Sequence, residues 1–199
     1  VSDAERIAGL YERHAMAFVG LRGTSLVERS WLDRFAALMP SGGRVVDLGC
    51  GSGEPMASAL IADGFRLTGV DSSETLIGLC HARHPAHDWQ VGDMRSFSPP
   101  AQFDGILAWH SFFHLTPEDQ RLMFPRFAML AAEGAALMFT SGPSHGVAMG
   151  TFEGEPLYHA SLDGEEYRAL LAKNGFAVMH HVREDPECGG ATVWLARAT

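Results

Sequence analysis

Three carboxylates, each set just ahead of a turn-like stretch, are the first residues with chemistry to offer: Asp47, Asp71 and Asp93. Asp47 sits in Val45-Val-Asp-Leu-Gly-Cys-Gly-Ser-Gly53, where Gly49, Gly51 and Gly53 let the backbone turn sharply and approach a ligand closely. A helix starting beyond such a turn presents unpaired N–H groups that favour negative charge. A carboxylate before the turn and a helix N-terminus after it suit a ligand carrying both an ammonium and a carboxylate. The spacing is not the dinucleotide pattern G-x-G-x-x-G, because the third small position counted from Gly49 is filled by Glu54. A triphosphate-binding G-x-x-x-x-G-K-[ST] is absent as well. Asp71, followed by Ser72 and Ser73, reads as an acid that accepts from two ribose hydroxyls; its plainer role is a helix cap. Asp93 with Met94 suits an adenine amino group and ring, or else a simple turn ahead of Arg95.

Histidines supply the candidate bases, since imidazole titrates near neutrality. His110 and His114 flank Phe112-Phe113, and His145 and His159 follow later; for each, the ordinary alternative is a surface or satisfied core residue. His180-His181 falls on an alternating strand and reads as structural. No C-x-x-C ligand spacing accompanies them, so no metal is expected.

The elements that must position these groups follow from apolar periodicity. Ile7, Leu10, Tyr11, His14 and Phe18 predict one helix over 3–18, and Leu26 to Leu38 a second, ended by Pro40. Strands are expected at 44–48, 65–70, 87–91, 103–108, 135–140, 176–184 and 192–196, with helices at 54–62 and 72–83. A further helix begins at Thr116-Pro117 and should be kinked or divided by Pro125; another starts at Asp163, with Glu166 completing a capping box, and ends at Asn174-Gly175. Residues 141–160, rich in Gly, Pro, Ser and His, read as an irregular insert. Alternating strands and helices imply an α/β fold: a Rossmann-like three-layer sandwich, parallel but for a last antiparallel hairpin, with two extra N-terminal helices. Ligands in such sheets lie beyond the carboxyl ends of the strands, where Asp47, Asp71, Asp93 and His110 fall.

The 199 residues suit a single domain. With 15 basic against 24 acidic residues there is no basic footprint for nucleic acid. Cys50, Cys80 and Cys188 are scattered and odd in number, no apolar run reaches a membrane span, and no apolar signal core opens the chain; a cytoplasmic protein is the expectation.

In order along the chain, Asp-Leu-Gly-Cys-Gly-Ser-Gly at 47–53, Gly-Val-Asp-Ser-Ser at 69–73, Val-Gly-Asp-Met at 91–94 and Phe-Asp-Gly-Ile-Leu-Ala-Trp-His at 103–110 resemble the class I S-adenosylmethionine-dependent methyltransferases of small-molecule type. The resemblance spans Arg44 to Ala198. It implies a seven-stranded sheet whose last strand lies antiparallel between the fifth and sixth, and S-adenosyl-L-methionine as cofactor. It also implies that Asp47, Gly49, Gly51 and Gly53 form the methionine-end turn, that Asp71 and Ser72 meet the ribose, and that Asp93 and Met94 meet the adenine. Ala108 and Trp109 would line the methionine side, partly through backbone, and Tyr11 would close over the cofactor. The expected reaction is methyl transfer to a small organic acceptor, with residues 1–40 as a helical cap, 141–160 as an acceptor lid, and His145, Tyr158 and His159 at the acceptor. An Asn-Pro-Pro-Tyr type motif for methylating bases is absent, Ala108-Trp-His-Ser standing in its place. The rival readings are an NAD-dependent oxidoreductase on a related fold and a non-catalytic cofactor-binding regulator. Monomer and homodimer both remain open.

Overall fold

Apolar residues alternate along the central strands, and a period of two places one set on each face of a sheet. The computed structural model, which describes residues 2–199, shows that sheet. Helices α1 (Asp3–Arg13), α2 (Ala15–Arg22) and α3 (Arg29–Ala36) precede β1 (Arg44–Leu48). There follow α4 (Met56–Ala62), β2 (Arg66–Asp71), α5 (Glu74–Arg83), β3 (Asp88–Val91) and β4 (Phe103–Ala108). A 3-10 turn (Phe112–His114), α6 (Pro117–Leu130) and β5 (Ala131–Ser141) come next. The chain then forms β6 (Gly146–Phe152), β7 (Glu155–Ser161), α7 (Gly164–Lys173), β8 (Phe176–Asp185), a short 3-10 turn and β9 (Ala191–Ala198).

The main sheet has the order β3-β2-β1-β4-β5-β9-β8. Its first five strands are parallel, and β9 runs antiparallel to both β5 and β8. This is the expected Rossmann-like sandwich. Strand order reverses beside β1 and β4, so a crevice opens at their carboxyl ends. Val45, Leu67, Leu107 and Met138 join Trp31, Leu32 and Phe35 of α3 and residues of α4 and α5 in one core. Val46, Leu48, Ile106 and Phe139 join Phe124 and Phe127 of α6 and Tyr167 and Leu171 of α7 in the other. Phe139 stacks on Trp194 at 5.9 Å between centroids, and the Trp194 indole N–H donates to Ser141 Oγ.

Four local expectations are corrected. The first predicted helix is broken at His14, whose ring reaches Glu155 at 2.7 Å, so three helices rather than two precede β1. α6 runs through Pro125 undivided; Pro125 faces solvent, while buried Met123, Phe124 and Phe127 hold both halves on the sheet. Asp163 caps α7, but the Glu166 carboxylate binds Arg121 instead of closing a capping box. Residues 141–160 are not irregular: β6 and β7 pair in register from Gly146↔Ser161 to Phe152↔Glu155. Glu153 and Gly154 between them have φ of 50° and 80°, the two positive values that a tight I′-type hairpin turn requires.

A buried polar network seats this hairpin. Tyr167 O–H donates to Gln120 Oε1 at 2.6 Å and accepts from Leu162 N–H at 3.0 Å, while the Gln120 amide donates to the carbonyls of Ala160 and Leu115. α6 and α7 thereby fix the base of β7 above the sheet. Because Phe139 packs into a closed aromatic cluster, Phe139→Ala is expected to lower stability by about 3–5 kcal/mol, read as a shift of the urea midpoint.

Candidate active site

The turn after β1 is built largely by β2. Gly49 and Cys50 donate their N–H groups to Val70 C=O at 2.7 and 3.1 Å, and Gly51 N–H donates to Asp71 Oδ2 at 2.9 Å. Ser73 N–H donates to Asp71 Oδ1, and Ser73 Oγ caps α5 through Leu76 N–H. Asp71 is therefore a clamp on two loops, not the cap itself, and burial raises its carboxyl above the usual range. Gly49 has a φ of 79°, and a Cβ there would stand 2.2 Å from Ser111 Cβ, so only glycine lets the turn meet the segment that follows β4.

This turn walls a cavity of about 400 Å³. Of the expected residues, Tyr11, Asp47, Gly49, Gly51, Asp71 and Ser72 line it, as do Asp93, Met94, Trp109, His110, His114 and His159. Asp47 is 3% exposed, and among the described residues none donates a hydrogen bond to its carboxylate. Burial, then the Asp71 charge, push its pKa up to about 7, with Arg22 pulling the other way. Asp93 is bound by Arg95 through both carboxylate oxygens, and Arg95 also reaches Asp119 at 2.7 Å. Burial alone would raise the Asp93 pKa, but these hydrogen bonds carry it below the ordinary value.

Four expected residues do not line the cavity. Gly53 packs inward, where a Cβ would meet Cys80 Sγ at 3.3 Å. Ala108 is wholly buried in the sheet. His145 is exposed, within electrostatic reach of Glu166 on α7. Tyr158 alternates to the opposite face of β7 from His159, and its carbonyl, not its ring, meets the site.

The carbonyl of Tyr158 can only accept, so His114 Nδ1–H donates to it at 2.7 Å; His114 Nε2 then accepts from the Tyr11 O–H at 3.0 Å. Both nitrogens are engaged, and burial pushes the imidazole down to about 4. His114 is thus a neutral pin joining α1, the 3-10 turn and β7, and this arrangement leaves it no free lone pair for an acceptor proton. His110 differs. Its φ is 50°, its backbone N–H donates to Thr140 Oγ1 at 2.9 Å, and its ring is exposed within the cavity. Desolvation by the surrounding protein, then Arg22, lower its pKa.

Sequence reasoning missed Glu12, Phe18, Arg22, Ser111 and Phe113. Glu12 accepts from Ser73 Oγ, Thr75 N–H and Thr75 Oγ1, latching α1 to the start of α5. Ser111 Oγ donates to Leu48 C=O at 2.6 Å. Arg22 donates to the buried Glu28 at 2.6 Å. Phe18 was visible as a helix-periodic apolar residue; Glu12 and Ser111 carry no local signal, since their partners lie on distant elements.

A methyltransferase-domain family profile matches residues 45–134. Over that stretch the chain is similar to methyltransferase domains. Its fold is similar to those of solved methyltransferase structures. One is an amino pentose methyltransferase from Micromonospora echinaspora, with a TM-score of 0.71 and 20% identity over 92% of this chain and 96% of that one. Another is the 1,6-didemethyltoxoflavin-N1-methyltransferase of Burkholderia thailandensis, with a TM-score of 0.75 and 17% identity over 98% and 88%. At those identities the likeness shows the fold. In sequence, the chain is 29% identical over 99 residues to the trans-aconitate 2-methyltransferase of Variovorax paradoxus, a stretch covering 48% of this chain and 38% of that protein. Among the described residues no helix is long and apolar enough to cross a membrane.

Two measurements probe the site. Tyr11→Phe, which strips His114 Nε2 of its donor, is expected to cost about 1–3 kcal/mol and to speed hydrogen exchange chiefly in residues 3–13. Asp47 is raised, so between about pH 4 and 7 the folded chain holds a proton the unfolded chain has lost, and the wild type loses stability as pH rises through that window. Asp47→Asn should therefore gain on the wild type by about 2 kcal/mol between pH 5 and pH 8 in urea titrations of the ligand-free protein.

Proposed function

We propose that this chain transfers the methyl group of S-adenosylmethionine to a small organic acceptor, giving S-adenosylhomocysteine. The observation that carries the reading is the Asp47 carboxylate, buried at the cavity wall with no protein donor, beside a glycine turn clamped by Asp71. A carboxylate largely desolvated at a cavity wall costs stability unless a ligand cation meets it, and the ammonium of the cofactor's methionine end is such a partner. Asp47 with Gly49 and Gly51 would hold that end, Asp71 and Ser72 the ribose, and Met94 the adenine. Asp93, already held by Arg95, would shape the adenine side of the pocket while keeping only part of its acceptor capacity. Tyr11, Trp109 and Phe18 would close around the remainder.

When bound, the cofactor supplies a methyl group already activated on sulfonium. The protein's task is then alignment and exclusion of water. α1 does the latter, roofing the cavity and tied down by Glu12, by Tyr11 and by Arg13 and His14 on Glu155. His110, neutral and open to the cavity, is the group placed to receive an acceptor proton; His114 is a positioning residue. Residues 1–40 act as the cap of a single domain. The segment 141–160 acts as the acceptor lid, a role supported by the seat of β6 and β7 over the 3-10 turn and by His159 in the cavity.

The relatives support a small acceptor. The Micromonospora structure holds S-adenosylmethionine, and the Burkholderia structure holds 1,6-didemethyltoxoflavin with S-adenosylhomocysteine. A net charge of −9 speaks against nucleic acid, and three free buried cysteines suit the reducing cytoplasm.

S-adenosylhomocysteine at a hundredfold over its Kd is expected to stabilise the protein by about 2.7 kcal/mol, whereas NAD leaves the melting temperature unchanged. Asp71→Ala should weaken that binding by about tenfold or more, measured by calorimetry. Stabilisation by NAD instead, or undiminished affinity in the variant, would sink the assignment; binding without any methyl transfer across acceptors would mark a regulator.

A further inference from the structure

Beyond the glycine turn, the cavity is walled by rings in unbroken contact. Phe18 meets Tyr11 at 5.2 Å between centroids, and Tyr11 meets His114 at 5.4 Å. His114 meets His159 at 4.8 Å and Phe113 at 4.9 Å, and Phe113 meets His159 at 5.1 Å. His110 lies 5.7 Å from Phe113 and 5.2 Å from Trp109. These are spacings at which a further ring can stack or meet an edge.

Charge is nearly absent from this end. Of the charged residues lining the cavity, Arg22 is bound to Glu28, Glu54 to Arg83, and Arg95 to Asp93 and Asp119. Glu5 is engaged at the N-cap of α1. That leaves Asp47 and Asp71, which the reading above assigns to the cofactor. The three histidines of the wall all titrate lower than usual, first because of burial, and stand neutral at pH 7.

We infer that the acceptor is an uncharged planar aromatic ring bearing an O–H or ring N–H, held among Trp109, His110, Phe113 and His159. The inference rests on the methyl-transfer reading of the same cavity and narrows it. A ring gains stacking area and edge contacts from this wall, and its one polar atom meets His110. A carboxylate or ammonium in the same place is stripped of water with no free counter-charge, a loss hydrophobic contact does not recover. Transfer forms the bond between that oxygen or nitrogen and the methyl carbon as the carbon–sulfur bond breaks. The electron pair stays on sulfur, and the acceptor proton leaves through His110 to solvent.

The test uses four probes at pH 7 on protein saturated with S-adenosylhomocysteine: methyl 4-hydroxybenzoate, 4-hydroxybenzoate, tyramine and trans-aconitate. Binding is followed by tryptophan fluorescence and calorimetry, and methyl transfer separately with S-adenosylmethionine. The neutral ester is expected to bind at least tenfold more tightly than either charged phenol, with trans-aconitate weakest. Phe113→Ala should weaken the ester by up to about tenfold, the worth of an aromatic contact, while S-adenosylhomocysteine affinity stays within about twofold. Equal or tighter binding of a charged probe overturns the inference. So does failure of the ester to bind at millimolar concentration while S-adenosylhomocysteine still binds. Loss of S-adenosylhomocysteine binding itself strikes at the cofactor reading beneath it.

Discussion

The site depends on one junction: the end of β2 holds the turn that follows β1. Val70 C=O accepts from two successive N–H groups of that turn, and the Asp71 carboxylate accepts from a third while its other oxygen takes Ser73 N–H. Four hydrogen bonds thereby lock the glycine turn to the neighbouring strand and to the start of α5. A loop so held cannot relax to cover Asp47, which stays buried and unpartnered beneath it. The strained electrostatics of the pocket follow from this rigidity. Two carboxylates are kept near one another in a desolvated wall, an arrangement that destabilises the ligand-free fold and rewards a cationic ligand.

The roof is held by different means. α1 is short and has little intrinsic stability as an isolated helix. Its Ser2–Glu5 capping box helps locally, but tertiary contacts decide where it lies. Glu12 grips α5, Tyr11 grips His114, and Arg13 with His14 grips Glu155 on β7. His114 is central because it is bonded on both sides, to α1 and to β7. Cap, hairpin and turn therefore form one hydrogen-bonded assembly over the cavity. A histidine that residue type alone marks as a base serves here as a pin, while His110 four residues earlier keeps its ring open to the cavity.

Much of the fold was legible because it is a matter of local period. Alternating Val45-Val46 and Ile106-Leu107, helices between strands and a terminal antiparallel pair specify layers and order without any distant partner. The hairpin of β6 and β7 was also within reach, since Glu153-Gly154 separates two runs of equal length. It was obscured by composition: Gly, Pro, Ser and His read as loop, although pairing satisfies the backbone whatever the side chains. Pro125 shows the opposite error, a breaker overruled because its own face is solvated and its neighbours are buried.

By itself the sequence determined the sheet, the glycine turn and the three acids at successive strand ends, because each is encoded within a few residues by period, conformational freedom or charge. Tertiary structure alone decided which groups are free to react. Asp93 is taken up by Arg95, His114 by Tyr11 and Tyr158, and Arg22 by Glu28, whereas Asp47 is left without a partner. Several of those partners lie on distant elements, and availability is a property of the pair. A residue's type announces what it can do, but only the fold shows what it is already doing.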